Sequence, residues 1–145
     1  MHAQTAVINS QGLFNIHTSY YASPAPRGTI ILVNGSLATT TSFAQTLRFL
    51  QPEFNVVLFD EPYAGRSKAF NHHERPLTKE QEARLLLDLI EHFQADHLLS
   101  FSWGGASAML ALAQNPPSIR RAVIMGFSPG INPAMRAYLE AGVDL

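Results

Sequence analysis

Residues 98–110 read LLSFSWGGASAML, and they place one serine, Ser102, where an apolar run gives way to a run of small residues. A serine hydroxyl attacks a carbonyl well only when the backbone holds it clear of its neighbours, and a sharp strand-to-helix turn does this. Close packing at such a turn demands small residues two positions to either side. Glycine is usual at both; here they are Ser100 and Gly104, and Gly105 and Ala106 extend the small run. A helix beginning there would put the backbone N–H of Trp103 at the positive end of the helix dipole, where it can donate to a developing oxyanion. A second donor is expected from the loop Asn34-Gly35-Ser36-Leu37, in which Gly35 permits a tight turn and Ser36 or Leu37 offers its N–H.

A serine of this kind needs a base, and on such a turn the partners normally follow in the order Ser, then Asp or Glu, then His. All six histidines, His2, His17, His72, His73, His92 and His97, precede Ser102, and beyond it the only acids are Glu140 and Asp144. These 145 residues are therefore expected to hold a nucleophile and an oxyanion hole without a base. His97 begins the strand that ends at Ser102, about 16 Å away at the rise of a strand, and His92 falls late in the preceding helix. His72-His73-Glu74 reads as an exposed loop, and no metal ligand is assigned. Asp60 ends a strand on the same side as Ser102, but Asp-x-Pro followed by Gly65 favours a turn role over an acid. Trp103 reads equally well as pocket wall or packing, and Phe43, Phe54 and Phe59 read as core.

The positioning elements follow from periodicity. Residues 5–9 and 13–21 read as a hairpin split by Asn9-Ser10-Gln11-Gly12. The β-branched runs 29–33 and 54–59 are buried strands with a helix over 41–50 between them. Thr78 and Gln81 form a capping box for a helix that carries Ala83, Leu86, Leu87, Ile90 and Phe93 on one face. Strand 98–101, helix 104–114, strand 122–125 and a helix from about Pro133 complete the chain. Alternating strands and helices specify an α/β fold with a mostly parallel sheet and an antiparallel hairpin at its start. Residues 1–145 read as one domain without internal repeat or linker.

Composition narrows the function. With 46% hydrophobic and 14% charged residues the chain has the material for a core. It contains no cysteine, which removes disulfides and thiol chemistry and makes the cytoplasm the expected compartment. The net charge of −1 and scattered basic residues give no footprint for nucleic acid, and no segment approaches the roughly 18 apolar residues of a membrane span. The looser basic group Arg66, Lys68, Arg75, Lys79 and Arg84 is interspersed with glutamates and reads as a solvated face.

Four stretches, IILVNGSLATTTSFAQT, FNVVLFDEPYAGRSK, LIEHFQADHLLSFSWGGAS and FSPGINPAM, resemble the α/β-hydrolase-fold acyltransferases that handle (R)-3-hydroxyacyl chains. These are the 3-hydroxyacyl-[acyl-carrier-protein]:CoA transacylases of polyhydroxyalkanoate synthesis and the related 3-(3-hydroxyalkanoyloxy)alkanoate synthases of rhamnolipid synthesis. The resemblance implies acyl transfer from acyl carrier protein to coenzyme A as co-substrate, with Ser102 matching the nucleophile and Asn34-Gly35-Ser36-Leu37 the oxyanion loop. It implies no metal and no permanently bound cofactor. Members of the family run to nearly twice this length, with the cap and the catalytic Asp and His in the second half, so the chain reads as an amino-terminal half. The sheet is then expected to end after about the sixth strand, on an apolar edge near Val123. A thioesterase, a hydroxyalkanoyloxy-alkanoate synthase and a non-catalytic remnant or interaction module are the rival expectations.

Overall fold

The computed structural model describes residues 2–72 and 75–143. β1 (Gln4–Ser10) and β2 (Phe14–Tyr21) pair antiparallel, with Gln4 opposite Tyr20 and Ser10 opposite Phe14. The turn between them uses two consecutive left-handed residues, Gln11 at φ 60° and Gly12 at φ 66°, which matches the right-handed twist of paired strands. β3 (Thr29–Val33), β4 (Asn55–Phe59), β5 (His97–Phe101) and β6 (Arg121–Met125) join them in a sheet of order β1-β2-β4-β3-β5-β6. β2 meets β4 antiparallel, whereas β4, β3, β5 and β6 run parallel. The sheet is thus mostly parallel with an antiparallel start, as its residue pattern specifies.

The helices fall on both faces for a topological reason. From β3 the chain steps to one side, to β4, through α1 (Ala44–Leu50); it then crosses back to β5 through α2 (Lys79–Phe93) and on to β6 through α3 (Gly104–Leu112). Right-handed crossovers in opposite directions put their helices on opposite faces. Accordingly Ile30, Leu32, Val56, Leu58 and Phe43 pack on the α1 side. Ile31, Val33, Val57, Phe59 and Leu98 pack under Leu85, Leu86, Leu89, Ile90, Ala108 and Ala111 of α2 and α3. Phe43 and Phe59 are buried in these two separate clusters, with Phe54 partly buried beside the first. Connections leave β3 and β5 toward opposite faces, which opens a crevice beyond their carboxyl ends, the position where open α/β sheets bind ligands.

α2 starts on the capping box: Thr78 Oγ accepts from the Gln81 N–H at 3.2 Å, and Gln81 Oε1 accepts from the Thr78 N–H at 3.0 Å. Two short elements escape the periodicity reading. The first turn of the helix expected at 41 is a 3-10 turn, Thr40–Phe43, and a second 3-10 helix, Gly65–Phe70, occupies what reads as loop. The helix after Ser102 ends at Leu112, two residues early, and Asn115 turns left-handed at φ 51° before Pro116. β6 is an edge strand with Val123 53% and Met125 45% exposed. α4 (Pro133–Val143) leaves Tyr138 and Leu139 in solvent. Among the described residues, no helix is long and apolar enough to cross a membrane.

Asp60 ties the loops above this crevice together. It is 2% exposed, and its carboxyl oxygens accept from the Thr40 N–H at 2.7 Å and the Arg66 N–H at 2.9 Å. Its carbonyl accepts from Ser67 Oγ at 2.6 Å. Gly65, at φ 45°, has no room for a side chain because a Cβ there would lie 2.3 Å from Asp60 Oδ2. Asp60→Ala strands two N–H groups, so urea denaturation should show a loss of about 3 kcal/mol; a loss below about 1 kcal/mol would mean that water replaces the carboxyl without cost.

Candidate active site

Ser102 directly follows β5 and adopts φ 52°, a left-handed conformation that costs a non-glycine residue of order 1–3 kcal/mol. Two hydrogen bonds hold it there. Its N–H donates to the Met125 carbonyl at 2.8 Å, extending the β5–β6 ladder, and its own carbonyl accepts from the Gly105 N–H at 2.9 Å, closing the first turn of α3. The side chain is exposed. Trp103 returns to helical angles, φ −62° and ψ −18°, as the N-cap of α3, and N–H groups in a first helical turn have no intrahelical acceptor.

The loop after β3 is pressed against this turn with no side chain between them. A Cβ on Gly104 would lie 2.3 Å from the Asn34 carbonyl oxygen, and one on Gly35 would lie 3.1 Å from Ser102 Cβ. Gly105 is required on the other side, where a Cβ would enter the Phe127 ring at 2.5 Å. Leu37 is itself left-handed, at φ 61°, with its side chain fully in solvent, so the tip of the loop is shaped by backbone and not by apolar burial. Asn34 Oδ1 accepts from Ser42 Oγ at 2.7 Å, which anchors the loop to the 3-10 turn. Ser36, Leu37, Ser102 and Trp103 are thereby brought to one end of the crevice. Ser100 points inward and is fully buried, with no hydrogen-bond partner for its Oγ among the described residues; its small size is what the packing there uses.

Two clefts meet at Ser102. A larger one of about 320 Å³ runs between Ser102, Gly35, Ser42, Phe43, Thr46 and Phe101. A smaller one of about 30 Å³ lies between Ser102, Trp103, Phe127 and Met135, so Trp103 is part of the wall. Among the described residues, no histidine lines either cleft. His97 opens β5 at the far end of the strand from Ser102 and binds Asp96, Nδ1 to Oδ1, at 2.7 Å. Burial raises the Asp96 pKa, but the hydrogen bonds from His97 and from the Thr29 N–H at 2.8 Å outweigh it and hold the carboxyl below its usual range. This histidine–carboxylate pair is on the wrong edge of the sheet to serve Ser102. His17, in β2, is held below its ordinary pKa by burial and then by Arg66. His73 and Glu74 lie outside the described residues, and among those described no three His, Cys, Asp or Glu side chains are grouped to hold a metal ion.

One site residue escaped the sequence reading. Glu61, next to Asp60, lines a third cleft with the loop after β3. Burial, then the Glu82 carboxylate, pushes its pKa up to about 8 against the opposing pull of Lys79. The only signal in the sequence is its position, directly after a buried strand at the carboxyl edge of the sheet.

A left-handed serine between strand and helix, a glycine-lined loop facing it and a parallel sheet with a reversed strand order define an α/β hydrolase. A family model described as "alpha/beta hydrolase fold" matches residues 28–141, and the chain belongs to that family. It is 58% identical over 144 residues to the "(R)-3-hydroxydecanoyl-ACP:CoA transacylase" of Pseudomonas aeruginosa, covering 99% of this chain and 48% of that protein. The same identity holds over 142 residues to the transacylase of that description from Pseudomonas putida, covering 98% and 48%. The chain therefore spans about half the length of the curated relatives it matches. Among solved structures, an α/β hydrolase from Novosphingobium aromaticivorans superposes with a TM-score of 0.79 at 18% identity, over 96% of this chain and 49% of that one. A hydrolase from Pseudomonas aeruginosa gives 0.77 at 19%, over 97% and 52%; both likenesses concern the fold.

Gly104→Ala forces a Cβ onto backbone that cannot step aside, and should cost roughly 2 to 3 kcal/mol in chemical denaturation. Gly142→Ala, on α4 with open space around it, should instead gain roughly 0.5 to 1 kcal/mol from helix propensity. Equal effects at the two positions would remove the packing argument. For Glu61, an unfolded glutamate ionises near 4.5 and the folded one at about 8. The folded chain holds the proton more tightly, so its stabilisation is complete below the unfolded pKa and disappears as pH rises through the folded one. Glu61→Gln has no proton to lose. Its stability relative to the unmodified chain should climb from pH 4.5 to 8 and level off above, and two parallel pH curves would contradict this.

Proposed function

We propose that this chain carries the nucleophile half of an acyltransferase that moves (R)-3-hydroxyacyl groups from acyl carrier protein to coenzyme A through an acyl-enzyme on Ser102. The observation that carries the reading is the left-handed Ser102 against the Gly35 loop, within a chain 58% identical to transacylases of that description. Ser102 Oγ attacks the thioester carbonyl, whose oxygen becomes an oxyanion stabilised by the N–H of Trp103 and that of Ser36 or Leu37. The carbon–sulfur bond breaks and the pantetheine thiol leaves with a proton; a coenzyme A thiol then attacks the ester and frees Ser102. Gly104, Gly105, Gly35 and the small Ser100 shape the elbow that makes the attack geometrically open.

Both steps need a base to take and return a proton. Among the described residues, no histidine lines the Ser102 clefts, so residues 1–145 alone are expected to turn over negligibly, and activity belongs to a protein that brings an Asp–His pair to Ser102. Coenzyme A and the acyl carrier protein act as substrates, and the chemistry itself calls for no metal and no redox cofactor.

The test is product analysis. The active protein, supplied with (R)-3-hydroxydecanoyl-carrier protein, should form 3-hydroxydecanoyl-CoA only when coenzyme A is present, and Ser102→Ala should lower kcat/KM roughly ten-thousandfold or more. Free acid formed equally with and without coenzyme A would identify a thioesterase, and a product with the mass of two joined hydroxyacyl chains the ester synthase. Unchanged turnover in Ser102→Ala would overturn the acyl-enzyme.

A further inference from the structure

Glu61 lines a cleft of about 190 Å³ whose other walls are the Asn34–Ala38 loop, Lys79 and Glu82 of α2, and Gly104 and Ser107 of α3. Its Oε2 is buried and has no hydrogen-bond partner among the described residues. A buried carboxyl oxygen left unpaired costs free energy in every folded molecule, so the site is built either for water or for a ligand that supplies the missing bond.

The chemistry of the walls narrows that ligand. Lys79 Nζ is already engaged by Glu82 Oε2 at 2.6 Å, so an entering phosphate or carboxylate would find a neutralised cation between two acidic side chains. A carboxyl that burial keeps protonated donates one hydrogen bond and accepts another, which is the complement of a neutral hydroxyl. The volume is slightly above the roughly 150 Å³ that accommodates benzene. That suits a short, hydroxyl-bearing piece of a chain and not a whole pantetheine arm. The cleft also adjoins the reaction centre: Gly35 lines both this cleft and the one containing Ser102, and a Cβ on it would sit 3.1 Å from Ser102 Cβ.

We propose that Glu61 is a specificity-determining residue that hydrogen-bonds the 3-hydroxyl of the acyl chain and so selects hydroxylated over unsubstituted acyl groups. This rests on the acyl-transfer reading above, and binding measurements separate the two. In the whole protein carrying Ser102→Ala, so that thioester is not consumed, calorimetric titration with (R)-3-hydroxydecanoyl-CoA and decanoyl-CoA should show the hydroxylated ligand bound about tenfold more tightly. Glu61→Met should abolish that preference by weakening the hydroxylated ligand alone, and Glu61→Gln, which still donates and accepts, should keep most of it. Failure of both ligands to bind would sink the acyl-transfer reading itself. A preference below about threefold with Glu61 intact overturns the inference even if Glu61→Met does not fold. Equal weakening of both ligands, or a higher melting temperature in Glu61→Met with the preference intact, would also overturn it, as it would mark a structural or water-filled site.

Discussion

The carboxyl edge of this sheet depends on one contact between backbones, the carbonyl of Asn34 seated in the space a side chain on residue 104 would fill. It lets the loop after β3 and the first turn of α3 approach as closely as peptide groups can, and two further consequences follow. The serine that precedes this turn must go left-handed to leave β5, since the chain has no length in which to bend gradually. The loop facing it is also crowded at position 35, where a Cβ would lie 3.1 Å from the serine Cβ, closer than ordinary contact. The exposed hydroxyl of Ser102 is thus the product of three crowded positions, and its strain is offset by the bonds to Met125 and Gly105.

The same edge is stiffened laterally by Asp60. By accepting from Thr40 and Arg66 it joins the segment after the β3 loop to the segment after β4, so two of the three loops over the crevice move as one. The third is tied through β6, since Ser102 donates to Met125 there. Backbone groups and a single carboxyl therefore do most of the positioning, and side-chain packing on the two faces of the sheet holds the strands beneath them.

This division explains what could be read in the residues. Strands and long helices are specified by apolar periodicity and by caps, so β3 falls on Thr29–Val33 and α2 begins after Thr78 as the pattern requires. The turn at Ser102 announces itself by small residues around a serine after an apolar run. The 3-10 helix over Gly65–Phe70 has no such signature, because it is held by Asp60 and by Ser67 bonding across to β2, where Ser67 Oγ accepts from the His17 N–H at 2.8 Å. Glu61 is invisible for a related reason. A glutamate after a strand is ordinarily a solvated charge, and burial first, then the Glu82 carboxylate of α2, distant in sequence, make it otherwise.

Asp60 and Glu61 show how little the residue type decides. They are adjacent carboxyls at the end of one strand, yet Asp60 is supplied with two N–H donors while Glu61 meets a neighbouring carboxylate and an unfilled bond. A buried carboxyl with each oxygen bonded to a backbone N–H is engaged in holding loops together. One left short of partners in a cleft beside the Ser102 turn keeps its bonding capacity in reserve, and that reserve is what the proposed substrate hydroxyl would use.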